Sequence, residues 1–441
     1  MKVMILAYDF PPYVSVGGLR PYSWFRYLRE FGVEPVVITR QWANHYGDER
    51  DYIAPSATAE VEVEESDLGT IVRAPYAPNR SNQLFLAGGP NKHRLARKLI
   101  TAWYEIGQYY AAIGPKVQLY HAARRYLVDH KIDAIIATGD PFVLFKYAAQ
   151  LSKEFGIPWV ADYRDQWSQD KRRFGKRIPR RWETGLEQRI TASASAITTV
   201  SEFLRDLLAQ LHSRKLAEVI PNGYDPEAMA AARGSEQGHE QFTVAFMGTI
   251  CDWDPVESVF RVFDDFISTH SAAALALNMI GVNGREALEE LLRTKFPALS
   301  RNVTFTGRLP NDQMAPELAK ANAFLLFNRY AYSGTKVFDY LALERKIILC
   351  YSDDPEARQL RHRHYNLEVA AADEQVLERI VEDTKSGVVV KDASHLNEVL
   401  TDLYREFAEK GSIPCESVGT ERYSRKTHAK QMAGVLKGLV E

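Results

Sequence analysis

Lys2-Val3-Met4-Ile5-Leu6-Ala7-Tyr8-Asp9-Phe10-Pro11-Pro12 opens with an apolar run, residues 3–7, that Asp9, Pro11 and Pro12 bring to a stop. A run this short, closed by turn residues, predicts a buried strand followed by a loop. Residues 36–39, 134–138, 159–162, 196–200 and 219–220 repeat the pattern, and residues 21–31, 141–155 and 202–211 between them are amphipathic and long enough for helices. Strand and helix in alternation predict a parallel sheet with helices on both faces.

Pro221-Asn222-Gly223-Tyr224-Asp225 breaks the alternation with turn chemistry, and residues 229–241 are polar with little apolar periodicity, so the linker is expected there. The first domain is expected over residues 1–225 and the second over 226–425. Strand-like runs restart at 243–247, 275–281, 303–306, 323–327, 346–350 and 388–390, which predicts a second doubly wound sheet. A last helix within residues 426–441 follows all of these strands and is expected to cross back to the first domain. Residues 41–126 carry Glu60, Glu62, Glu64 and Glu65 and then a basic, Tyr-rich helical segment, and read as an irregular insertion.

At 441 residues the chain is too long for a single small binding module. Lys plus Arg number 55 against 57 Asp plus Glu, which excludes a global basic field of the kind that holds nucleic acid. Cys251, Cys350 and Cys415 lie far apart with no CxxC spacing, so neither a disulfide framework nor a structural zinc is indicated, and a reducing cytoplasm is expected. The first apolar run is too short for a signal peptide and no stretch is apolar enough to span a bilayer, which leaves peripheral membrane contact open.

Gly17-Gly18, ahead of a helix expected near Pro21, would let backbone N–H groups approach an anion. The glycines come late after the strand and the second strand ends in Thr39-Arg40, which argues against NAD and leaves NADP open. In Ser333-Gly334-Thr335-Lys336-Val337-Phe338-Asp339-Tyr340-Leu341-Ala342, helical spacing puts Val337, Phe338 and Leu341 on one face and Lys336, Asp339 and Tyr340 on the other. The first face would pack and the second would be free to bind. Lys336 at the helix start suits a phosphate, and Asp339 suits two ribose hydroxyls; a solvated ion pair is the plainer alternative.

Cys251-Asp252-Trp253-Asp254 contains an Asp-x-Asp, but no third ligand stands at a useful spacing, so a solvated loop is read there and no metal is expected. Asp162-Tyr163-Arg164-Asp165 closes a strand at the end where open parallel sheets hold ligands. Arg164 and Asp165 are therefore candidates for sugar or acceptor contact, with a pair bracing the loop as the equal alternative. Lys171, Arg172, Arg173, Lys176, Arg177, Arg180 and Arg181 form a basic run without an acid. It would contact anionic lipid headgroups or the phosphates of an acceptor, or stand as plain solvated surface.

Phe10-Pro11-Pro12 with Gly17-Gly18, Pro158-Trp159-Val160-Ala161-Asp162-Tyr163-Arg164-Asp165-Gln166-Trp167, Val200-Ser201-Glu202, Pro221-Asn222-Gly223-Tyr224-Asp225, Phe246-Met247-Gly248-Thr249 and residues 334–342 together resemble the family-4-like glycosyltransferases of GT-B fold. The resemblance spreads over nearly the whole chain in the family's order. It implies an α/β architecture of two Rossmann-like, doubly wound parallel-sheet domains facing a cleft. It also implies retention of anomeric configuration, no metal and no cofactor, since the nucleotide-sugar is a substrate.

By position, the resemblance puts Gly17, Gly18, Gly248, Thr249, Arg308, Gly334, Thr335, Lys336 and Asp339 at the donor, and Lys336, Arg164 and Asp165 at the chemistry. Arg172, Arg173, Arg180 and Arg181 fall to the acceptor or an anionic membrane. The family's sugar-contacting His is missing from the Asp162–Asp165 loop, Ala331 stands where a first glutamate is usual, and no Lys or Arg follows Gly248 through residue 260. Charge compensation would fall to Lys336, helped by Arg20, Arg308 or Arg329. Three readings follow: transfer of a sugar to a glycan or lipid-linked acceptor, a sugar-nucleotide-binding scaffold with weak activity, or a sugar-nucleotide epimerase.

Overall fold

The computed structural model describes residues 1–42, 49–170, 177–212, 217–270, 275–307, 309, 311–329, 333–351, 355, 359 and 375–440. The chain divides into two compact units, Met1–Pro221 with Arg425–Glu441, and Asn222–Ser424.

The first unit holds β1 (Lys2–Leu6), β2 (Glu34–Arg40), β3 (Glu62–Ser66), β4 (Gly69–Ala74), β5 (Ala134–Gly139), β6 (Trp159–Tyr163), β7 (Ala196–Thr199) and β8 (Glu218–Val219). They lie in the order β3-β4-β2-β1-β5-β6-β7-β8, and only β3 runs antiparallel to its neighbour. Val3 and Ile5 enter one core with Trp24, Phe25 and Leu28, while Met4 and Leu6 are buried as well. Burial on both faces is why β1 reads as an uninterrupted apolar run.

The helix expected to open near Pro21 begins at Val16 and ends at Tyr27, with Ser15 Oγ accepting the Gly18 N–H as its cap at 3.1 Å. Residues 41–126 are not an irregular insertion throughout. β4 pairs in parallel with β2, and β3 returns against it as an edge whose every residue is exposed. The acidic run belongs there because a charged edge resists pairing with another chain. The helix Arg425–Lys437 lies in this unit, where Ala429, Met432, Ala433 and Leu436 share the core of Val3 and Trp24.

The second unit holds β9 (Phe242–Met247), β10 (Leu275–Ile280), β11 (Val303–Thr306), β12 (Ala323–Phe327), β13 (Lys346–Cys350) and β14 (Gly387–Val390), all parallel, in the order β11-β10-β9-β12-β13-β14. Alternate residues feed two cores: Val244, Phe246, Leu325 and Phe327 one, Ala245, Phe324 and Leu326 the other. The linker expected over 229–241 is corrected, because Asp225 caps a helix, Pro226–Arg233, whose Met229 and Ala232 are buried in the second unit. Pro221–Asp225 is turn chemistry, and its Asp doubles as a helix start.

β1 has β2 on one side and β5 on the other, and β9 stands likewise between β10 and β12. Each sheet therefore has a point where successive connections leave in opposite directions, and there the strand ends leave a crevice that suits a ligand.

Candidate functional site

In the second unit the loop after β9 and the segments after β12 meet at that point. Gly248 has φ +87, and a Cβ on it would come within 2.7 Å of Lys336 Cε, so only glycine fits under this lysine. Lys336 Nζ donates to the Thr249 carbonyl at 2.9 Å, and Arg329 Nη2 donates to the same oxygen at 2.9 Å. Two cations thus converge on one loop carbonyl. Residues 249–260 carry no Lys or Arg of their own, and both side chains come from the segment after β12, the strand beside β9.

Arg329 also pairs with Asp254 at 3.0 Å, and Asp254 accepts the Cys251 N–H at 2.8 Å. The Asp-x-Asp is accordingly split: Asp254 is buried against Arg329 and Asp252 is exposed. Among the described residues no group of three or more His, Cys, Asp or Glu is placed to hold a metal ion. Burial pushes the Asp254 carboxyl up against the pull of Arg329, and burial together with the like charge of Arg329 brings the Lys336 ammonium down to about 7.

The helix Lys336–Leu343 follows Thr335, whose side chain makes no capping bond, and Gly334 before it has φ +65. The expectation that Lys336, Asp339 and Tyr340 share a free face is corrected for Tyr340. Its ring is fully buried, stacked on Phe324 at 4.3 Å, and its hydroxyl accepts the Met247 N–H at 2.9 Å. This helix is apolar nearly all round because it is enclosed, so spacing alone does not separate its faces. Tyr340 is a positioning residue the sequence reading missed, since it fixes the end of β9 directly before Gly248. Asp339 is 8% exposed, one turn into the helix.

In the first unit Arg164 lies across the crevice between β1 and β5. Its Nε donates to the Gly139 carbonyl at 3.0 Å, and its two Nη atoms donate to the carbonyls of Gly17 and Asp140. The Gly17 contact follows from covalent structure, because Pro21 has no N–H to give the carbonyl four residues back and the guanidinium supplies the donor instead. A Cβ on Gly17 would come within 2.5 Å of Arg164 Nη1 and 2.8 Å of Asp9 Oδ2, so any side chain there would have to displace the ends of both residues. The Gly18 N–H, expected to face an anion, is taken by Ser15. Ser15 Oγ also donates to Asp9 at 2.9 Å, and burial raises the Asp9 carboxyl against the pull of Arg164. Asp165 is exposed beside this bracing.

Arg20, expected to help with charge compensation, is engaged within the first unit. It forms a buried ion pair with Asp162 at 2.8 Å and donates to the Ile220 carbonyl at 2.7 Å, while Thr138 and Thr198 hydroxyls complete the carboxylate at 3.0 and 2.7 Å. Arg181 is exposed; Arg172, Arg173 and Arg308, and the side chain of Arg180, lie outside the described residues.

Residues 22–228 match the family model described as Glycosyltransferase Family 4. No curated protein sequence matches the chain. Among solved structures, sucrose-phosphate synthase from Thermosynechococcus elongatus aligns with TM-score 0.62 at 16% identity, covering 99% of this chain and 98% of that one. The UDP-forming α,α-trehalose-phosphate synthase from Burkholderia xenovorans, in complex with glucose-6-phosphate, aligns with TM-score 0.61 at 12% identity over 100% of both chains. Anabaena HepE in complex with UDP and glucose aligns with TM-score 0.54 at 13% identity over 99% of both. Residues 22–228 thus match a glycosyltransferase family model, and the chain as a whole shares the GT-B fold of these structures.

Proposed function

We propose that the protein is a retaining, metal-independent glycosyltransferase that moves a hexosyl group from a nucleotide-diphosphate donor to a glycan or lipid-linked acceptor. It would serve cell-surface polysaccharide or glycoconjugate synthesis in the cytoplasm, with peripheral contact at the inner face of the plasma membrane. The observation that carries this reading is the convergence of Lys336 and Arg329 on the Thr249 carbonyl at the crevice of the second sheet.

As the bond from the anomeric carbon to the β-phosphate oxygen breaks, negative charge grows on the diphosphate. Fixed cations in a water-poor site stabilise that charge with little reorganisation. Arg329 is charged at every working pH, and an arriving diphosphate raises Lys336 from about 7 so that it binds protonated. Gly248 and Thr249 give the loop that carries the phosphates, the N–H groups at Gly334 and Thr335 face them, and Asp339 accepts the ribose hydroxyls. Arg164 holds the first crevice in shape, Asp165 meets the sugar or acceptor, and the run at residues 171–181 meets acceptor phosphates or anionic headgroups.

A thermal-shift screen of UDP-, GDP-, ADP- and dTDP-sugars tests donor binding, because a donor at 100 times its Kd adds about 2.7 kcal/mol. One sugar nucleotide is expected to stabilise the protein and to release nucleotide when acceptor is present. Stabilisation by none of them overturns the reading, and conversion of the donor without any acceptor makes the protein an epimerase. Activity should persist in EDTA; its loss, with recovery in Mn²⁺ or Mg²⁺, removes metal independence.

A further inference from the structure

The helix Arg94–Gly107 of the first unit has no buried residue along its length. Its apolar side chains nevertheless fall on one side: Leu95 is 81% exposed, Leu99 73%, Trp103 60% and Ile106 45%, and Tyr110 just beyond the helix is 61% exposed. At 100° per residue these five lie within one arc of the helix. The opposite edge leans on the helix Arg80–Gly88, where Ser81 Oγ bonds the Arg97 carbonyl at 3.1 Å and the Thr101 hydroxyl at 2.8 Å. An isolated helix of this length is marginal in water, and here the unit's core adds nothing through burial of the stripe.

Charge identifies the occupant. Lys92, His93, Arg94 and Lys98 are exposed beside the stripe, and residues 92–104 contain no acid. Glu105, the acid of the helix, is already engaged by Lys116 at 3.2 Å and by Gln108 at 2.7 Å. The flank therefore offers cations whose counter-charge the helix does not supply. Trp103 and Tyr110 add amphipathic rings of the kind that settle at a bilayer interface. At the Tyr110 end, Trp182 stacks on that ring with centroids 6.2 Å apart and donates its Nε1–H to the hydroxyl, next to the exposed Arg181.

We propose that the stripe Leu95, Leu99, Trp103, Ile106 and Tyr110 of the helix Arg94–Gly107 and its end is a membrane-docking face that lies in the headgroup region of an anionic bilayer. A basic flank beside an apolar stripe is the chemistry of an interfacial helix. A second copy of this chain fits less well, because a two-fold contact would pair the stripe with itself and bring the like-charged flanks of both copies into one interface without supplying their counter-charge. The inference deepens the peripheral membrane contact proposed above and rests on that part of the reading, not on sugar transfer. It also differs from the expected contact of the basic run at residues 171–181.

The test is co-sedimentation of the full chain with vesicles of phosphatidylcholine alone or with phosphatidylglycerol. Binding is expected only with the anionic lipid, and Leu95→Ser with Leu99→Ser and Trp103→Ser should weaken it roughly tenfold or more while Tm stays unchanged. Arg94→Ser with Lys98→Ser should weaken it by roughly tenfold and flatten its salt dependence. Brominated lipid should quench part of the tryptophan emission, and Trp103→Phe should abolish that part while binding persists. Replacing Arg172, Arg173, Arg180 and Arg181 by Ser should at most weaken binding, and adding the triple change to that variant should weaken the remainder by roughly tenfold or more. No binding by the parent, equal binding to neutral vesicles, or an unaffected triple variant overturns the proposal. A parent dimer that the triple variant makes monomeric, with vesicle binding unaltered, assigns the stripe to a second copy.

Discussion

Lys336 is the residue at which stability and proposed function oppose each other. In the folded protein its ammonium is held at about 7, against 10.5 as the ordinary value, so between those pH values the unfolded chain binds the extra proton. Stability therefore rises with pH across that window and is lowest below about pH 7, where the buried amine is charged. Lys336→Met should raise Tm at neutral pH by roughly 2–4 °C or more, read by calorimetry, and should abolish this slope. The same change should lower kcat by about 100-fold, with a smaller rise in donor KM, because leaving-group charge is greatest in the transition state. In the parent, donor affinity should be level below about pH 7 and fall above it as the free amine loses its proton. Calorimetric titration of the nucleotide across that range checks the sign.

Asp339 makes a complementary case, a buried side chain on the same helix that is proposed above to accept the ribose hydroxyls. Asp339→Ala should cost about 1.5–3 kcal/mol of donor binding, or roughly 10- to 150-fold in Kd, with the fold intact. Equal affinity in parent and variant, measured by calorimetry, would return Asp339 to a structural role.

Among the elements, the loop after β9 shows how strand, glycine and helix depend on one another. Tyr340 anchors Met247, Gly248 turns at positive φ, and Lys336 passes directly over it. Gly248→Ala meets both the backbone penalty and the lysine stem, so it should destabilise by about 1–3 kcal/mol in urea. It should also weaken donor binding by moving Lys336 off the Thr249 carbonyl. A variant with parental stability and affinity would show that the loop shifts freely. Arg164 works similarly among the first unit's loops, tying those after β1 and β5 through backbone carbonyls.

For the whole molecule, the chain's last helix stabilises its first sheet. Met432 is fully buried in the core built around Val3, Ile5 and Trp24, remote in sequence from all three. Met432→Ala should cost about 2–5 kcal/mol, seen as a lower urea midpoint for the first unit. Burial of Phe242 to Ile267 and their neighbours in the second unit should be unaffected, so a midpoint change confined to that unit would contradict the assignment.

The alternation of apolar runs and amphipathic stretches determined the layered α/β architecture, because strands buried on both faces must be written in consecutive apolar residues such as Val3 to Leu6. It also marked Lys336, Gly248 and the Asp162–Asp165 loop, since each stands at the carboxyl end of a strand or the start of the next helix. Periodicity did not reveal that Tyr340 is enclosed, that Pro21 lies inside a helix, or that β4 joins the sheet through the supposed insertion. Only tertiary structure decided which charges meet. Arg20 went to Asp162 in a buried pair, Asp254 went to Arg329, and Arg329 and Lys336, both from the segment after β12, met at the Thr249 carbonyl in the loop after the neighbouring strand β9. The physical reason is range: local spacing governs which face a residue takes, whereas the partner of a charge depends on which strand ends the topology brings together, and that is written in no local segment.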